Sequence, residues 1–138
     1  MSYMYITRRE RFNSAHRLFR NDWDDEKNQS IYGKCSHPNW HGHNYTLYVT
    51  VKGKVNNETG FVVNLKDLSA LINIMIIDKL DHKNLNLDVD FLQGKIISTE
   101  NIAIAIWEQL YDPVLKLGAF LYKIRIEETE NNSVEYFG

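Results

Sequence analysis

The chain lacks the features that define several protein classes. One cysteine in 138 residues cannot form an internal disulfide. The net charge of −2 gives no basic excess that would predict nucleic-acid binding. No apolar run approaches membrane-spanning length, and the N-terminal MSYMYITRRERF lacks the apolar core of a signal peptide. We therefore expect a cytoplasmic protein with one domain over residues 1–138 and no nucleic-acid or membrane partner.

The first half of the chain carries strand and turn patterns. Aromatic and β-branched residues predict a strand over residues 3–12, and the polar segment 20–29 predicts an exposed loop. Apolar residues alternate over 44–55, which predicts a strand with one buried face. The segment NNETG at 56–60 predicts a hairpin turn into a further strand at 61–63.

The second half adds helices and two more strands. Apolar spacing predicts an amphipathic helix over 65–76 and a second helix that Thr99 caps and Pro113 ends. Alternation predicts strands at 121–127 and 134–137. The order β, β, β, α, α, β, β is typical of an α+β fold in which helices cover one side of an antiparallel sheet.

The segment GKCSHPNWHGHNY contains the one cysteine and three of the five histidines. Because side chains alternate along a strand, His41 and His43 should share the apolar face of Tyr45. Burying unsatisfied imidazole nitrogens costs about 1–3 kcal/mol each, so partners are expected. A zinc ion would satisfy both, since catalytic zinc takes three protein ligands and keeps an open position. His16 in FNSAHRL is the best candidate for the third ligand, and His37 is the second.

Two other interpretations of this segment stay open. The HGH sequence is also compatible with a turn that carries two surface histidines. Cys35 is a possible ligand of a structural zinc site, although one cysteine followed by two histidines does not match the paired patterns of such sites. A lone cysteine is most often a small buried apolar residue, but Cys35 lies between Lys34 and Ser36 in a polar loop.

Five motifs in order carry a resemblance to a known family. They are FNSAHRL, YGKC with five residues before HGHNY, LDHKNLN, STEN and EETENN. Together they resemble the 6-pyruvoyl-tetrahydropterin synthase / 6-carboxytetrahydropterin synthase family over essentially the whole chain. The resemblance implies the tunnelling fold (T-fold), a four-stranded antiparallel sheet with two helices on one face. It also implies a trimeric barrel, stacking of two trimers into a homohexamer, and active sites between subunits.

The resemblance also implies a role for nine residues. It implies that His16, His41 and His43 hold Zn²⁺, and it gives His37 no counterpart. The remaining matches are Cys35, Asp81 and His82 in catalysis, Glu128 as the anchor of the pterin ring, and Thr99 and Glu100 in the pterin pocket.

Glu128 also has an interpretation from the residues themselves. Tyr122, Ile124 and Ile126 set one face of the fourth long strand, and Glu128 continues this apolar face. A carboxylate there is costly unless it is paired, and a pterin offers a ring N–H and an amine side by side. The alternative is that the strand ends earlier and Glu128 lies in solvent.

The family's substrate is 7,8-dihydroneopterin triphosphate. Zinc would act as a Lewis acid, Cys35 would remove a carbon-bound proton, and His82, oriented by Asp81, would relay protons. Triphosphate would then leave and 6-pyruvoyl-tetrahydropterin would form. The residues that bind the triphosphate stay open among Arg8, Arg9, Arg17, Lys34 and Lys123.

Two other functions are possible from the sequence. The second branch of the family forms 6-carboxytetrahydropterin for queuosine and deazapurine synthesis and also releases acetaldehyde. The five-residue gap before HGH and the terminal EETENN resemble the pyruvoyl branch. A third interpretation is a zinc- and pterin-binding protein without catalysis, or one whose metal is structural.

Overall fold

The sheet has five strands, which are β1 (Met4–His16), β2 (His41–Gly53), β3 (Lys83–Asn84), β4 (Phe120–Thr129) and β5 (Asn132–Tyr136). Their order across the sheet is β3-β1-β2-β4-β5. The computed structural model describes residues 2–138. Neighbouring strands are antiparallel except β3, which pairs in parallel with the end of β1. The prediction of a four-stranded antiparallel sheet is therefore wrong by one strand, because β3 adds a short parallel strand at the edge.

Along the chain, the helices lie between the strands. The helix predicted over residues 65–76 continues to residue 80, because a π-helical turn and a short helix follow helix α2 (Leu65–Ile72) without a break. The helical elements are α1 (Asp25–Tyr32), α2 (Leu65–Ile72), the π-helix Asn73–Ile77, α3 (Asp78–Leu80), α4 (Thr99–Lys116), and the 3₁₀ turns Gly33–Ser36 and Asp90–Leu92. None of the helices among residues 2–138 combines the length and apolarity that a membrane crossing requires.

The exposed loop predicted at 20–29 is wrong in its second half, where α1 begins. The Asp24 carboxylate accepts a hydrogen bond from the Lys27 N–H at 2.7 Å and caps the helix. Asn28 is buried and bonds both the N–H and the carbonyl of Arg20. Polar side chains thus hold this helix in place, and it carries no apolar stripe that could have revealed it.

The strand predicted at 61–63 is absent from the described chain. The turn before it does form, since the Gly60 N–H donates to the Asn56 carbonyl at 2.7 Å. Val63 then enters the core, and the Asn64 side chain accepts from the Lys66 N–H at 2.9 Å. The chain therefore passes directly from the turn into α2.

Helix α4 differs from the prediction at both ends. Its N-cap is Ser98, whose hydroxyl accepts from the Asn101 N–H at 3.1 Å, and not Thr99. Pro113 does not end the helix, because the Leu117 N–H closes the last turn onto the Pro113 and Val114 carbonyls. Val114 is fully buried, so packing favours helical structure beyond the proline.

The core lies between one face of the sheet and helices α2 and α4. The alternation predicted for β2 is confirmed, because Tyr45, Leu47, Val49 and Val51 are all fully buried. The apolar stripe of α4 is also confirmed, and its members are Ile102, Ile106 and Leu110. The inward face of β2 thus fixes the direction in which His41 and His43 point.

A β-bulge corrects one residue of the β4 prediction. The pairing with β2 shifts so that Thr50 faces Lys123 while Val51 faces Leu121. Leu121 therefore fills the buried position, and Tyr122 turns to the other face and packs edge-on against Tyr5 at 4.6 Å between ring centroids. The extra residue of a bulge has no partner in the neighbouring strand, which is why alternation alone misplaced it.

Candidate metal centre and active site

Three imidazoles meet where β1 ends and β2 begins. His16 lies opposite His41 in the antiparallel register, and His43 lies two residues further along β2 on the same face. One ligand-capable nitrogen from each of the three residues lies within 4.8 Å of the others. The fold therefore brings together the three residues that were predicted from the sequence as metal ligands. The interpretation of HGH as a surface turn is wrong, because both histidines lie within β2 and are partly buried.

Hydrogen bonding orients the His16 ring toward the centre of this cluster. His16 is 1% exposed, and its Nδ1 donates to the Ile97 carbonyl at 2.8 Å. This bond leaves Nε2 as the unprotonated nitrogen, and Nε2 is buried without a hydrogen-bond partner. Nδ1 of His41 is buried without a partner as well. Buried nitrogens of neutral imidazoles, one of them fixed by an outer hydrogen bond, fit a zinc ion.

Burial keeps two of the three imidazoles in the neutral form that coordination of a metal ion requires. Desolvation lowers the pKa of His16 to about 4, although the hydrogen bond to Ile97 acts in the opposite direction. Desolvation also lowers the pKa of His41, and the neighbouring His43 adds to the effect. Both imidazoles are therefore neutral at neutral pH, and a neutral imidazole is the species that coordinates a cation.

Glu128 points into the site and not into solvent. Strand β4 continues to Thr129, so Glu128 stays on the sheet. One carboxylate oxygen accepts from the Thr99 hydroxyl at 2.6 Å. The carboxylate oxygens also lie 3.9 Å from Nε2 of His16 and 3.9 Å from Nε2 of His43. Glu128 therefore joins the imidazole cluster to the beginning of α4.

A recess of about 370 Å³ opens beside Glu128. Cys35, Thr99 and Glu100 line it together with Glu128. Cys35 lies on the 3₁₀ turn, and its carbonyl accepts from the Leu18 N–H at 2.8 Å, close to the end of β1. In the part of the chain that the structure describes, the cluster that could hold a metal ion does not include the Cys35 thiol. The geometry therefore opposes the structural Cys-His zinc site.

Asp81 and His82 lie away from this recess. The Asp81 carboxylate accepts from the Asn13 N–H at 2.8 Å and lies 3.0 Å from Nδ1 of His82. The Asn13 N–H, and after it His82, lowers the pKa of Asp81. Asp81 borders a separate recess together with Arg11 and Asn44, whose side chains are exposed on the face opposite the core. One chain alone does not bring the Asp81–His82 pair into the recess of Cys35.

The other candidates were His37 as a metal ligand and several basic residues as triphosphate contacts, and they lie at different places in the structure. His37 lies outside the imidazole cluster, and its Nδ1 accepts from the Asn39 N–H at 3.1 Å, so the second candidate for the third ligand is wrong. Arg8 and Lys123 are engaged in ion pairs with Glu10 and Glu135. The other basic candidates near Cys35 are Arg17 and Lys34, which line a recess of about 550 Å³ beside the 3₁₀ turn.

Tyr45 was predicted from the sequence only as a core residue. Tyr45 is fully buried, its ring contacts those of His16 and His43, and its hydroxyl has no hydrogen-bond partner. The signal that could have identified it is its position, since it is the next inward residue of β2 after the two histidines.

Comparison with known proteins identifies the family. A family model described as 6-pyruvoyl tetrahydropterin synthase matches residues 5–138. The chain belongs to this family. The 6-pyruvoyl tetrahydrobiopterin synthases of Dictyostelium discoideum and Homo sapiens are 49% and 44% identical to it, each over 133 residues. Those alignments cover 96% of this chain in both cases, and 95% and 90% of the two relatives.

A solved structure agrees with the family assignment. The structure of Caenorhabditis elegans 6-pyruvoyl tetrahydropterin synthase matches with a TM-score of 0.91 at 35% identity, and the match covers 100% of this chain and 97% of that one. A Bacillus subtilis 6-carboxy-5,6,7,8-tetrahydropterin synthase is more distant, at 31% identity over 109 residues, with 75% of this chain and 70% of that protein covered. The resemblance that five motifs predicted is confirmed.

Proposed function

We propose that this protein is a zinc-dependent 6-pyruvoyl-tetrahydropterin synthase. It would be a lyase that converts 7,8-dihydroneopterin triphosphate to 6-pyruvoyl-tetrahydropterin and eliminates triphosphate. One observation carries the proposal: three imidazoles converge beside a recess that contains a thiol, a hydroxyl and a carboxylate. The 49% and 44% identical relatives carry the name of this activity, which supports the pyruvoyl product over the carboxy product.

His16, His41 and His43 would hold the zinc ion. When bound, zinc would supply Lewis acidity that makes hydroxyl and carbon-bound protons of the substrate side chain easier to remove. Three protein ligands leave a coordination position for such a group. The orphaned Nε2 of buried His16 supports this assignment, because a cation would give that nitrogen its missing partner.

Glu128 would anchor the pterin ring. An ionised carboxylate can accept two adjacent N–H groups, and the pterin edge offers them. The hydrogen bond from Thr99 supports this role because it fixes the carboxylate and leaves acceptor capacity free. Glu100, which is exposed at the rim of the same recess, would contact the pterin from outside.

Cys35 would act as the base that removes a carbon-bound proton of the substrate. The thiol lines the recess and stays outside the metal cluster, so it is available for proton transfer. The thiolate is the form of a cysteine that accepts a proton.

Asp81 and His82 would complete the site of a neighbouring subunit. The pair lies beside Asn13, at the edge of β1 that carries no strand partner before residue 14. In a trimeric T-fold barrel, this edge would meet the sheet of the next subunit and bring the pair to that subunit's recess. Two such trimers would stack into a homohexamer. This arrangement would explain why Cys35 and His82 line no common recess within one chain.

The direct test is the product. Zinc-loaded protein is incubated with 7,8-dihydroneopterin triphosphate, and the pterin is analysed by mass spectrometry. We expect 6-pyruvoyl-tetrahydropterin and free triphosphate. Release of acetaldehyde with 6-carboxytetrahydropterin would assign the protein to the other branch, and an uncleaved substrate would contradict catalysis.

Cys35→Ala separates an enzyme from a binding protein. The proposed mechanism predicts normal zinc content, a normal oligomer and lost turnover, because only the base is removed. His37→Ala is the matched control, since His37 lies outside the cluster and should affect neither zinc content nor turnover. Loss of zinc in Cys35→Ala would instead indicate a structural metal bound through sulfur.

A further inference from the structure

One polar group beside the metal cluster has no partner in the described chain. Tyr45 is fully buried on the inward face of β2, and its hydroxyl makes no hydrogen bond. An unpaired buried hydroxyl lowers the stability of the folded protein, and a phenylalanine at this position would avoid that cost.

The surroundings of Tyr45 point to the metal centre as the place of the missing partner. Its ring stacks on Phe12 at 4.8 Å between centroids, which fixes the ring plane. It meets the His43 ring edge-on at 5.5 Å and the His16 ring edge-on at 6.0 Å. Two of the three proposed ligands therefore flank the tyrosine ring, and one of them, His16, carries a buried Nε2 that has no hydrogen-bond partner among the described residues.

We propose that the Tyr45 hydroxyl is an outer hydrogen-bonding group of the metal centre. Its partner would be an oxygen ligand, water in the resting protein, that enters the site together with the ion. Groups that hydrogen-bond to the ligands of a metal tune its affinity without touching it. Tyr45 would thereby stabilise the loaded site and position the oxygen. The inference rests on the metal ion of the proposed function, but not on its pterin chemistry.

Tyr45→Phe tests this role because it removes one oxygen and keeps the ring. In metal-free protein, the urea midpoint of unfolding should be equal to or above that of wild type, since no hydrogen bond is lost. The affinity for Zn²⁺ alone, measured by competition with a chromophoric chelator, should fall about 3- to 10-fold, the range expected for one net hydrogen bond. Tyr45→Phe should thus leave the metal-free protein at least as stable as wild type and weaken only the binding of Zn²⁺.

Tyr48→Phe is the matched control. Tyr48 lies on the opposite face of β2, where the Arg125 guanidinium packs over its ring at 5.1 Å, so its Zn²⁺ affinity should equal that of wild type. Equal Zn²⁺ affinity in Tyr45→Phe and wild type would overturn this inference alone. A destabilised metal-free Tyr45→Phe protein would also overturn it, because the hydroxyl would then have a protein partner. A wild-type protein that binds no Zn²⁺ would overturn both this inference and the proposed metal.

Discussion

Glu128 is a carboxylate on the inward side of a sheet, and a single hydroxyl fixes it. Thr99 donates to one of its oxygens, and two imidazole nitrogens lie 3.9 Å from the carboxylate. Water reaches this group only partly, so its unused lone pairs have few solvent partners. A ligand that presents two N–H groups would therefore gain charge-assisted hydrogen bonds at a site that is already oriented.

Glu128→Gln should weaken substrate binding and leave the metal in place. The KM for 7,8-dihydroneopterin triphosphate should rise about 10- to 100-fold, because a hydrogen bond to a charged group contributes about 1.5–3 kcal/mol. Zinc content should stay at one ion per chain. Glu127→Gln is the control, since Glu127 pairs with Arg125 at 3.3 Å on the other face. Equal KM values for the two variants would contradict a pterin-anchoring role.

His82 has a backbone conformation that is uncommon for residues other than glycine. Its φ is 59°, in the left-handed region, and its N–H donates to the Asn13 carbonyl at 2.6 Å. This region costs a non-glycine residue about 1–2 kcal/mol, although asparagine adopts it more readily. Such strain is found where a side chain has a function, which here would be proton transfer.

His82→Asn should therefore separate stability from activity. The free energy of unfolding should equal or exceed that of wild type, because asparagine tolerates the backbone better. Turnover should fall about 100-fold or more, the usual contribution of a general acid or base. Urea unfolding and kcat are the two measurements, with His37→Asn as a control that should change neither. Near-normal turnover, or a clear loss of stability, would contradict the role given to His82.

Elements differ in how far the sequence determines them. Strand β2 was predicted from the alternation of apolar and polar residues, and the apolar stripe of α4 was predicted from helical spacing. Both patterns are local in the sequence. Helix α1 and strand β3 were missed, because the first depends on buried Asn28 and the second is two residues of edge pairing. The shared face of His41 and His43, the candidate metal ligands on β2, followed from strand parity, whereas His16 was proposed as a third ligand from another strand. The position of Asp81–His82 did not follow from the sequence, since it depends on contacts with Asn13, which is distant in sequence.

Among residues 2–138, the edge of β1 that faces away from β2 has no strand partner before Ser14. The N–H and carbonyl of Asn13 point away from β2, toward Asp81 and His82. Because these groups alternate along a strand without bulges, the N–H of Arg9 points to the same free edge, and that of Arg8 points to β2. The two neighbouring arginines thus offer a matched pair for testing the edge.

Arg9→Pro should prevent assembly and preserve the fold. Proline is tolerated where no ladder hydrogen bond is lost, so the β1–β2 pairing should remain intact. Light scattering should give the mass of one chain, and circular dichroism should resemble that of wild type. Arg8→Pro removes a ladder N–H and should unfold the protein. An Arg9→Pro oligomer with unchanged mass would show that this edge is not the subunit contact.

At the scale of the whole molecule, the proposed catalytic groups form two sets. Cys35, Thr99 and Glu128 line one recess, whereas Asp81 borders another beside the free edge of β1. A site that needs both sets would need two chains in contact. In the proposed trimer, such a head-to-tail interface would repeat around a closed ring, because every subunit offers both halves.

Mixing two inactive variants tests whether the site is shared. Cys35→Ala and His82→Asn, co-refolded in equal amounts, should recover about one quarter of wild-type activity, since that fraction of random interfaces combines two intact halves. Cys35→Ala mixed with His16→Ala is the control, because both changes damage the same half and activity should not return. A mixture of the first pair that stays inactive would contradict a site between subunits.

X-ray absorption at the zinc edge tests the metal centre most directly. We predict one zinc ion per chain, with imidazole nitrogens at about 2.0–2.1 Å, other light ligands, and no sulfur. The spectrum of Cys35→Ala should be the same, and His16→Ala should lose the ion. A sulfur neighbour at about 2.3 Å that disappears in Cys35→Ala, or a zinc-replete wild type without zinc, would contradict this centre.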